Sequence, residues 1–416
     1  MSHFRNCIFT LIVTLTLLSP AAFVVLQIAD IHLPEWLKNE ELAYLSGGLA
    51  PGFDSSILEA ESILDGSTQT AIENSVGNNI PAKSTILLCN AALQRAAVST
   101  SNELFGWEYY PTQFGSSVVY LPEYNLLSGV PLANSPQSRN ALESFGTQLA
   151  QYANNHPDKL FCVVIPDCSQ ISNILPSSRA INQPLDAQSL IQALTAGWTT
   201  EPPNLILSTT QSSSADEFVS HHYHTDGHWN GYGALEAYNQ LMNDLPQLAP
   251  ISPSGELAGP IFNGQNARNG LMLLNEAAAE PIINVSNLSV RSGAEGWLLS
   301  KTPQEKITAS PLDAEFNFYA SWYGTDTPTV IDNEDIEGQS VILVSDSYGD
   351  AFRWLLAQSF GTVYNYMDLY SSSRSSVTLD ERIAETSSNI IVFLGLPSDY
   401  ISFIERHPNY FSDSEK

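Results

Sequence analysis

The sequence predicts an α/β fold in which a parallel sheet is flanked by helices. Short apolar runs alternate along the chain with longer amphipathic stretches, the pattern of buried strands connected by helices. The runs at 341–344 and 390–394 contain no polar residue, so each is expected to be covered on both faces of a sheet. The chain has 416 residues, of which 43% are hydrophobic. This is enough for one large domain with an accessory segment, or for two domains.

The predicted elements follow one another in a regular order. Helical apolar spacing at 42–45, 57–64 and 86–97 predicts a mixed helical entry segment over residues 30–115, before an α/β domain over 116–416. Strands are predicted at 117–121, 160–165, 204–207, 341–344, 363–366 and 390–394, and helices at 138–154, 187–196, 233–242 and 350–358. In such a sheet, ligands bind beyond the carboxyl ends of the strands.

The charge of the chain excludes one class of partner. The 16 basic and 44 acidic side chains give a formal net charge of -28, which repels nucleic acids and anionic lipids. Only 14% of the residues are charged, so the surface is expected to be mostly neutral and polar. Such a surface is typical of extracellular and cell-envelope proteins.

The N-terminal segment predicts export of the remaining chain. Residues 7–29 carry no charge, and as a helix they would extend roughly 34 Å, enough to cross a bilayer core of about 30 Å. Arg5 precedes this run and acidic residues from Asp30 follow it, which places the rest of the chain outside the cytoplasm. A signal peptide cleaved near Ala21 is the alternative to a single-pass anchor. Both interpretations predict an extracytoplasmic domain, anchored or secreted.

Three cysteines lie beyond the apolar N-terminal run. Cys89, Cys162 and Cys168 are an odd number, so they cannot all pair within one chain. A disulfide between two of them and buried free thiols are both compatible with the sequence.

The most informative motif is Asp226-Gly227-His228. Residues two apart on a helix do not face each other, so the motif is expected on an extended or looped segment. There the carboxylate can hold one imidazole nitrogen and leave the other free. Asn230 is then predicted to cap the helix that follows.

A serine that this pair can activate lies at the end of a predicted buried strand. Ser347 stands at a strand-to-helix turn, where the amides of the first helical turn have no internal partners and can stabilise an oxyanion. A hydroxyl becomes a good nucleophile when a base takes its proton and a third group orients that base. Asp226, His228 and Ser347 supply these three parts. The alternative for Ser347 is an ordinary helix cap.

The other histidines of this stretch raise the possibility of a metal site. His221, His222 and His224 are clustered, but on an extended strand they point to alternating faces and do not converge on one ion. We therefore expect no metal, no cofactor, and solvated side chains at His221 and His222.

The two motifs together resemble a known family. The stretch from His222 to Trp229, followed by residues 233–238, and Asp346-Ser347-Tyr348 after an apolar strand are similar to those of the bacterial DHHW proteins. These resemble the SGNH-hydrolase-like domain of alginate O-acetyltransferases. Two positions differ from the family pattern: Gly227 replaces the first of its paired histidines, and Tyr370 replaces an arginine after Asp368-Leu369.

The resemblance implies an SGNH-hydrolase-like α/β domain and a function. Ser347 would be the nucleophile, His228 the general base and acid, and Asp226 its orienting group, with Tyr348 and the Ser347 backbone as oxyanion candidates. The activity implied is transfer of acetyl from a donor to a hydroxyl of an envelope or secreted polysaccharide. A membrane-bound O-acyltransferase that exports acetyl groups is the implied partner.

Two other functions use the same residues. An acetyl esterase has the same triad but gives the acyl group to water, and a non-catalytic envelope protein would use the serine and histidine only as helix caps. Trp229, Trp322 and Tyr323 are candidates for stacking on sugar rings, with core packing as the alternative.

Overall fold

A computed structural model describes most of the chain from residue 83 onward. The described residues are 83–112, 117–245, 248–258, 264–272, 274, 276–283, 288–292, 305–307, 329–369 and 377–412. The predicted anchor or signal peptide at 7–29 and the helices at 42–45 and 57–64 lie outside these ranges. Within them, no helix is both long and apolar enough to span a membrane.

The described helices and strands run in the following order. The helices are α1 (Lys83–Phe105), α2 (Pro136–Asn155), α3 (Ala187–Thr195), α4 (Ala215–Ser220), α5 (Gly231–Asp244), α6 (Gln265–Asn269), α7 (Gly349–Leu356), α8 (Leu379–Thr386) and α9 (Pro397–Arg406). The strands are β1 (Glu108–Pro111), β2 (Ser117–Leu121), β3 (Leu126–Gly129), β4 (Leu160–Ile165), β5 (Leu205–Thr209), β6 (Gly255–Ala258), β7 (Ala279–Ile282), β8 (Leu288–Ser292), β9 (Glu305–Ile307), β10 (Thr329–Asn333), β11 (Ser340–Ser345), β12 (Thr362–Tyr366) and β13 (Ile390–Leu394).

The described residues divide into two compact units. The first contains nearly all of α1, together with β1 and α6. In it, Ala91 of α1 and Leu271 after α6 are buried, and Arg95 Nη1 donates a hydrogen bond of 3.0 Å to the Leu271 carbonyl. The second unit contains almost everything from Val119 onward except the segment around α6. The predicted boundaries at residues 30 and 116 stay predictions.

An eight-stranded sheet is the centre of the second unit. Its strand order is β5-β4-β13-β11-β12-β10-β8-β9. The first five strands are parallel to one another, whereas β10 pairs with β12, β8 with β10 and β9 with β8 in antiparallel orientation. The sheet is therefore mixed, and its parallel part is made of the strands predicted near 160, 204, 341, 363 and 390. The predicted strand at 117–121 instead pairs with β3 in a smaller sheet.

Helices pack on the parallel part in two groups. One consists of α5 and α7, and the other of α2 with α3 and α9. Strands β11 and β13 are buried over all but their first residue, as expected for strands covered on both faces. In the core, the Phe145 ring of α2 lies 5.9 Å from the Phe393 ring of β13 and 5.0 Å from the Tyr400 ring of α9. The helices are thus held by aromatic packing as well as by aliphatic contacts.

The strand order reverses at β11. The chain runs from β11 through α7 to β12 on one side, and then through α8 to β13 on the other side of β11. In sheets of this kind, ligands bind beyond the carboxyl ends of the strands where the order reverses. The turn that carries Ser347 lies at this point.

The cysteines of the described residues are free thiols. Cys162 in β4 and Cys168 after it are buried, and Cys89 is exposed. The sequence was compatible with a disulfide or with free thiols, and the structure has free thiols at all three positions. Burial raises the pKa of Cys162 and Cys168, so both are unreactive and serve as small apolar side chains.

Candidate active site

Ser347 is presented by the short turn between β11 and α7. The Gly349 amide donates to the Asp346 carbonyl at 3.0 Å and the Asp350 amide to the Ser347 carbonyl at 3.2 Å. The N-cap position of α7 is Tyr348, and no side chain caps this helix. The hydroxyl of Ser347 is therefore not a cap, and it is available for another partner.

The Asp346 side chain stabilises this turn through hydrogen bonds. Its carboxyl group is 1% exposed and accepts the backbone N–H of Tyr348 at 2.8 Å and that of Leu396 at 2.6 Å. Burial raises the pKa of Asp346 well above its ordinary value, and the nearby Asp399 carboxyl raises it further. The acid thus ties the serine turn to the segment that follows β13.

Gly349 is required by close packing. A Cβ atom at this position would lie 2.1 Å from the Ser345 hydroxyl oxygen. This is far inside van der Waals contact, and β11 and α7 meet at this distance only because residue 349 has no side chain.

His228 lies on a compact loop, residues 221–230, which we call the base loop. The backbone N–H of Tyr223 donates to the His228 carbonyl at 3.2 Å, and the N–H of Asn230 donates to the His221 carbonyl at 2.9 Å. Asn230 Oδ1 accepts the N–H groups of the next helical turn, as predicted for the cap of α5. Asp226 and His228 therefore lie on a looped segment closed at both ends by hydrogen bonds.

The three predicted side chains meet at one point. His228 Nδ1 lies 2.5 Å from Asp226 Oδ1, and His228 Nε2 lies 2.7 Å from Ser347 Oγ. A carboxylate only accepts hydrogen bonds, so Nδ1 carries the proton in the neutral imidazole and Nε2 accepts from the serine hydroxyl. The Asp226 side chain is 3% exposed and that of His228 is 13% exposed. This is the geometry in which an imidazole removes a proton from an alcohol.

Two glutamates that the sequence did not single out hold the base loop. The Glu276 carboxylate accepts the N–H of His224 at 2.6 Å and the N–H of Thr225 at 2.8 Å. Glu280 accepts the Tyr223 hydroxyl and the N–H of Gly231. Both lie some 50 residues downstream of the loop, so no local signal in the sequence connects them to it.

Glu280 is buried and Glu276 is partly buried. Glu280 is 1% exposed, and burial raises its pKa to about 7. Burial also raises the pKa of Glu276, against the lowering effect of its hydrogen bonds to Thr225 and His224. The base loop is thus fixed by two acids with raised pKa values, and the charge of the buried one, Glu280, depends on pH near neutrality.

Tyr348 joins the serine turn to the base loop. Its side chain is fully buried, and its hydroxyl donates a hydrogen bond of 2.6 Å to the Gly227 carbonyl. The Tyr348 hydroxyl is therefore engaged, and its backbone N–H is taken by Asp346. Of the predicted oxyanion donors, the backbone N–H of Ser347 is the one that has no acceptor among the described residues. Tyr348 thus positions the base loop against the serine turn, and its predicted role at the oxyanion stays a prediction.

Trp229 is a core residue. It is 1% exposed, and its ring packs 5.0 Å from that of Tyr348 and 6.0 Å from that of Phe352. The ring faces the core, so its position does not provide the predicted stacking on a sugar. Trp322 and Tyr323 lie outside the described residues.

His221 and His222, which also lie in the base loop, contact different partners. His221 Nδ1 lies 2.9 Å from Glu236 Oε2. His222 is 5% exposed, with Nδ1 at 2.7 Å from the Phe218 carbonyl oxygen and Nε2 at 3.0 Å from the Asp167 carbonyl oxygen. The expectation that His222 is solvated is therefore wrong, because its ring stacks on that of Phe218 at 3.8 Å. In the described part of the chain, no group of three ligating side chains is placed to hold a metal ion.

Asp368, at the carboxyl end of β12, is held by a buried ion pair. Arg382 of α8 donates to both of its carboxylate oxygens, at 2.9 and 3.3 Å, and Tyr410 donates to it at 2.8 Å. Tyr370, the position at which the family has an arginine, lies outside the described residues.

No protein-family model matches the chain, and no curated protein matches it. Solved structures do: a DHHW family protein from Eubacterium siraeum has 13% identity and a TM-score of 0.50, over 70% of this chain and 95% of that one. The structure of Bacillus cereus PatB1 has 18% identity and a TM-score of 0.46, over 66% and 95%. The O-acetyltransferase domain of Pseudomonas putida AlgJ has 8% identity and a TM-score of 0.34, over 71% and 92%. At these identities the likeness concerns the fold, and at that level the predicted resemblance to the DHHW proteins is confirmed.

Proposed function

We propose that this chain, whose fold resembles that of a DHHW protein, is an O-acetyltransferase that acts on a polysaccharide hydroxyl through Ser347, His228 and Asp226. The observation that carries the proposal is the continuous hydrogen-bonded relay from Asp226 through His228 to the Ser347 hydroxyl, at 2.5 and 2.7 Å. A relay of this kind is recognised by its geometry, whatever the order of its members in the chain.

The first half of the reaction forms an acyl-enzyme. Ser347 Oγ attacks the carbonyl carbon of the acetyl donor while His228 Nε2 takes the hydroxyl proton. The tetrahedral oxyanion is stabilised by the Ser347 backbone N–H at the start of α7. The donor's leaving group departs with the proton from His228, and the acetyl group stays on Ser347 as an ester.

The second half returns the enzyme to its starting state. A sugar hydroxyl attacks the acetyl-serine carbonyl as His228 takes the proton of that hydroxyl. The bond to Ser347 Oγ then breaks, and His228 gives the proton back to the serine. Asp226 keeps the imidazole in one tautomer and stabilises the imidazolium in both halves.

The location proposed for this reaction is outside the cytoplasmic membrane. The uncharged run at 7–29, with Arg5 before it and acidic residues after it, supports an anchored or secreted domain. An acetyl donor must then be delivered across the membrane. The partner proposed for this delivery, on the resemblance to the DHHW proteins and alginate O-acetyltransferases, is a membrane-bound O-acyltransferase.

Acetyl transfer is tested with a chromogenic acetyl ester as donor and an oligosaccharide as acceptor. We expect acetyl groups on the sugar by mass spectrometry, and an acetylated peptide that contains Ser347 in the quenched protein. Ser347→Ala is expected to lower turnover by about 10⁴-fold or more. Ser214→Ala, which removes a serine that does cap a helix, is expected to leave turnover unchanged.

Each alternative function gives a different outcome of this assay. Acetate released to water with no acetyl on the sugar would identify an esterase. Acetate release no faster than in the absence of protein, and unchanged by Ser347→Ala, would identify a non-catalytic protein and would contradict the proposed role of the relay.

A further inference from the structure

We propose that a cavity at the carboxyl ends of β4 and β5 binds an uncharged sugar residue of the acceptor. The inference rests on the proposed function, since it names the class of polysaccharide that reaches Ser347. It also sets this chain apart from a polyuronate acetyltransferase, because the cavity offers no cation to a sugar carboxylate.

The cavity lies at the same edge of the sheet as Ser347. It has a volume of about 130 Å³ and is bounded by the turn after β4, the start of α3 and the loop after β5. Its polar lining includes Asp167, Ser172, Asp186, Gln188, Gln211 and Ser212. Strand β13 alone separates β4 from β11, so the carboxyl ends of β4 and β11 are two strand spacings apart, about 10 Å. A chain of sugars acetylated at Ser347 therefore reaches the cavity with a neighbouring residue.

One wall of the cavity contains a buried hydroxyl that lacks a partner. Ser172 is 5% exposed, and its Oγ makes no hydrogen bond to any described residue. A buried hydroxyl without a partner destabilises the fold unless something outside the chain supplies the missing bond. A hydroxyl group of a ligand in the cavity is able to do so.

Two carboxylates of the lining each keep one oxygen free. Asp167 Oδ2 accepts the N–H and the hydroxyl of Ser212, at 2.9 and 2.6 Å, and Asp186 Oδ1 accepts the N–H of Ser189 at 2.7 Å. The second oxygen of each carboxylate has no donor among the described residues. These oxygens are acceptors for hydroxyl protons, and the amides of Gln188 and Gln211 add donors.

The charge of the lining selects the kind of sugar. Sugar hydroxyls both donate and accept, so they satisfy carboxylates, amides and the Ser172 hydroxyl together. None of the residues that line the cavity is a lysine or an arginine. A uronate carboxylate would therefore meet two like charges with no cation to pair with, which disfavours its binding.

The cavity wall is also connected to the base loop. The Asp167 carbonyl oxygen lies 3.0 Å from His222 Nε2, and the backbone of His222 forms a bridge with that of Trp229, next to His228. A sugar held against Asp167 is thus bound beside the base loop, which carries the general base. This proximity favours a fixed orientation of the acceptor.

The test measures binding without turnover, in the full chain with Ser347→Ala. Titration calorimetry is performed with four tetrasaccharides: β-1,4-linked glucose, β-1,4-linked mannose, N-acetylglucosamine, and mannuronate, the last with and without Ca²⁺. We expect at least one neutral tetrasaccharide to bind at least about tenfold more tightly than mannuronate.

Substitutions then locate this binding. Asp186→Asn and Ser172→Ala are each expected to weaken the neutral sugar by about tenfold, because each removes one hydrogen-bonding group from the cavity. Ser177→Ala is the matched control: it removes another buried hydroxyl without a partner, at a position that does not line the cavity. It is expected to leave affinity unchanged. Thermal unfolding of Ser172→Ala at or above the temperature of the unsubstituted protein shows that the fold is intact.

Three outcomes would overturn the inference. They are binding of mannuronate as tightly as the best neutral sugar in either calcium condition, binding of none of the tetrasaccharides, and affinity that neither cavity substitution lowers. Since none of these measurements needs acetyl transfer, the cavity can pass its test in a protein that proves to be an esterase.

Discussion

The buried acid Glu280 makes stability depend on pH in a way that one substitution removes. Glu280 anchors the base loop through Tyr223 and Gly231, and burial raises its pKa from 4.5 to about 7. Below pH 4.5 the carboxyl group is protonated in both the folded and the unfolded chain. As the pH rises to 7, the unfolded chain releases its proton while the folded chain retains it, so stability falls. Well above pH 7, Glu280 is ionised in both the folded and the unfolded chain, and the loss of stability no longer changes with pH.

The size of the effect follows from the shift. A pKa difference of 2.5 between 4.5 and 7 corresponds to about 3 kcal/mol of unfolding free energy at roughly 1.4 kcal/mol per unit. Glu280→Gln cannot ionise. The stability of the unsubstituted protein relative to this variant is therefore expected to fall by about 3 kcal/mol from pH 4.5 to pH 8.

Urea unfolding followed by tryptophan fluorescence measures this difference at pH 4.5, 6 and 8. Groups that do not interact with Glu280 titrate equally in both proteins and cancel in the comparison. Glu337→Gln, at an exposed glutamate, is the control and is expected to show no trend with pH. If the gap between Glu280→Gln and the unsubstituted protein changes by less than about 1 kcal/mol over this range, or widens in favour of the unsubstituted protein, the assignment of a buried, neutralised Glu280 is refuted.

Three further substitutions test the packing around the site. Tyr348→Phe removes the hydrogen bond to the base loop and is expected to lower the unfolding free energy by about 1–3 kcal/mol, measured in urea, and to slow acetyl turnover. Gly349→Ala places a Cβ atom 2.1 Å from the Ser345 hydroxyl, and we expect a loss of about 3 kcal/mol or more, visible as a lower melting temperature. Arg382→Met leaves a buried carboxylate unpaired and is expected to cost about 3–5 kcal/mol, whereas the double variant with Asp368→Leu is expected to recover most of this. Equal instability of the single and double variants would contradict that account.

The central part of the fold was predictable because its signals are local. The runs at 160–165 and 390–394 coincide with β4 and β13, and that at 341–344 lies within β11, since a strand covered on both faces contains few polar residues. The antiparallel strands β8, β9 and β10 were missed. They are short and mix polar with apolar residues, as in Thr329–Asn333, and their pairing depends on partners far away in the sequence.

The candidate site also has residues that the sequence predicts and residues that it does not. Asp226, His228 and Ser347 were predicted because their chemistry is carried by residue type and by short spacings, and the structure brings them together. The supports were not predictable. Glu280 and Glu276 contact the base loop across some 50 residues, and the burial that shifts their pKa values exists only in the folded chain. The expectation of a solvated His222 failed for the same reason. A polar residue gives no local sign in the sequence that the fold will bury it.

The hydrogen bond from Tyr348 to Gly227 spans 121 positions of the polypeptide, and Asp346 reaches a further 50 to Leu396. Ser347 is therefore held against His228 only after the chain has been synthesised and folded as far as Leu396. A nascent or truncated chain that ends before this residue has the serine without the contacts that position it. Under the proposed function, esterolysis in a denaturation experiment is expected to vanish before helical content declines, and its loss would report the separation of Ser347 from His228.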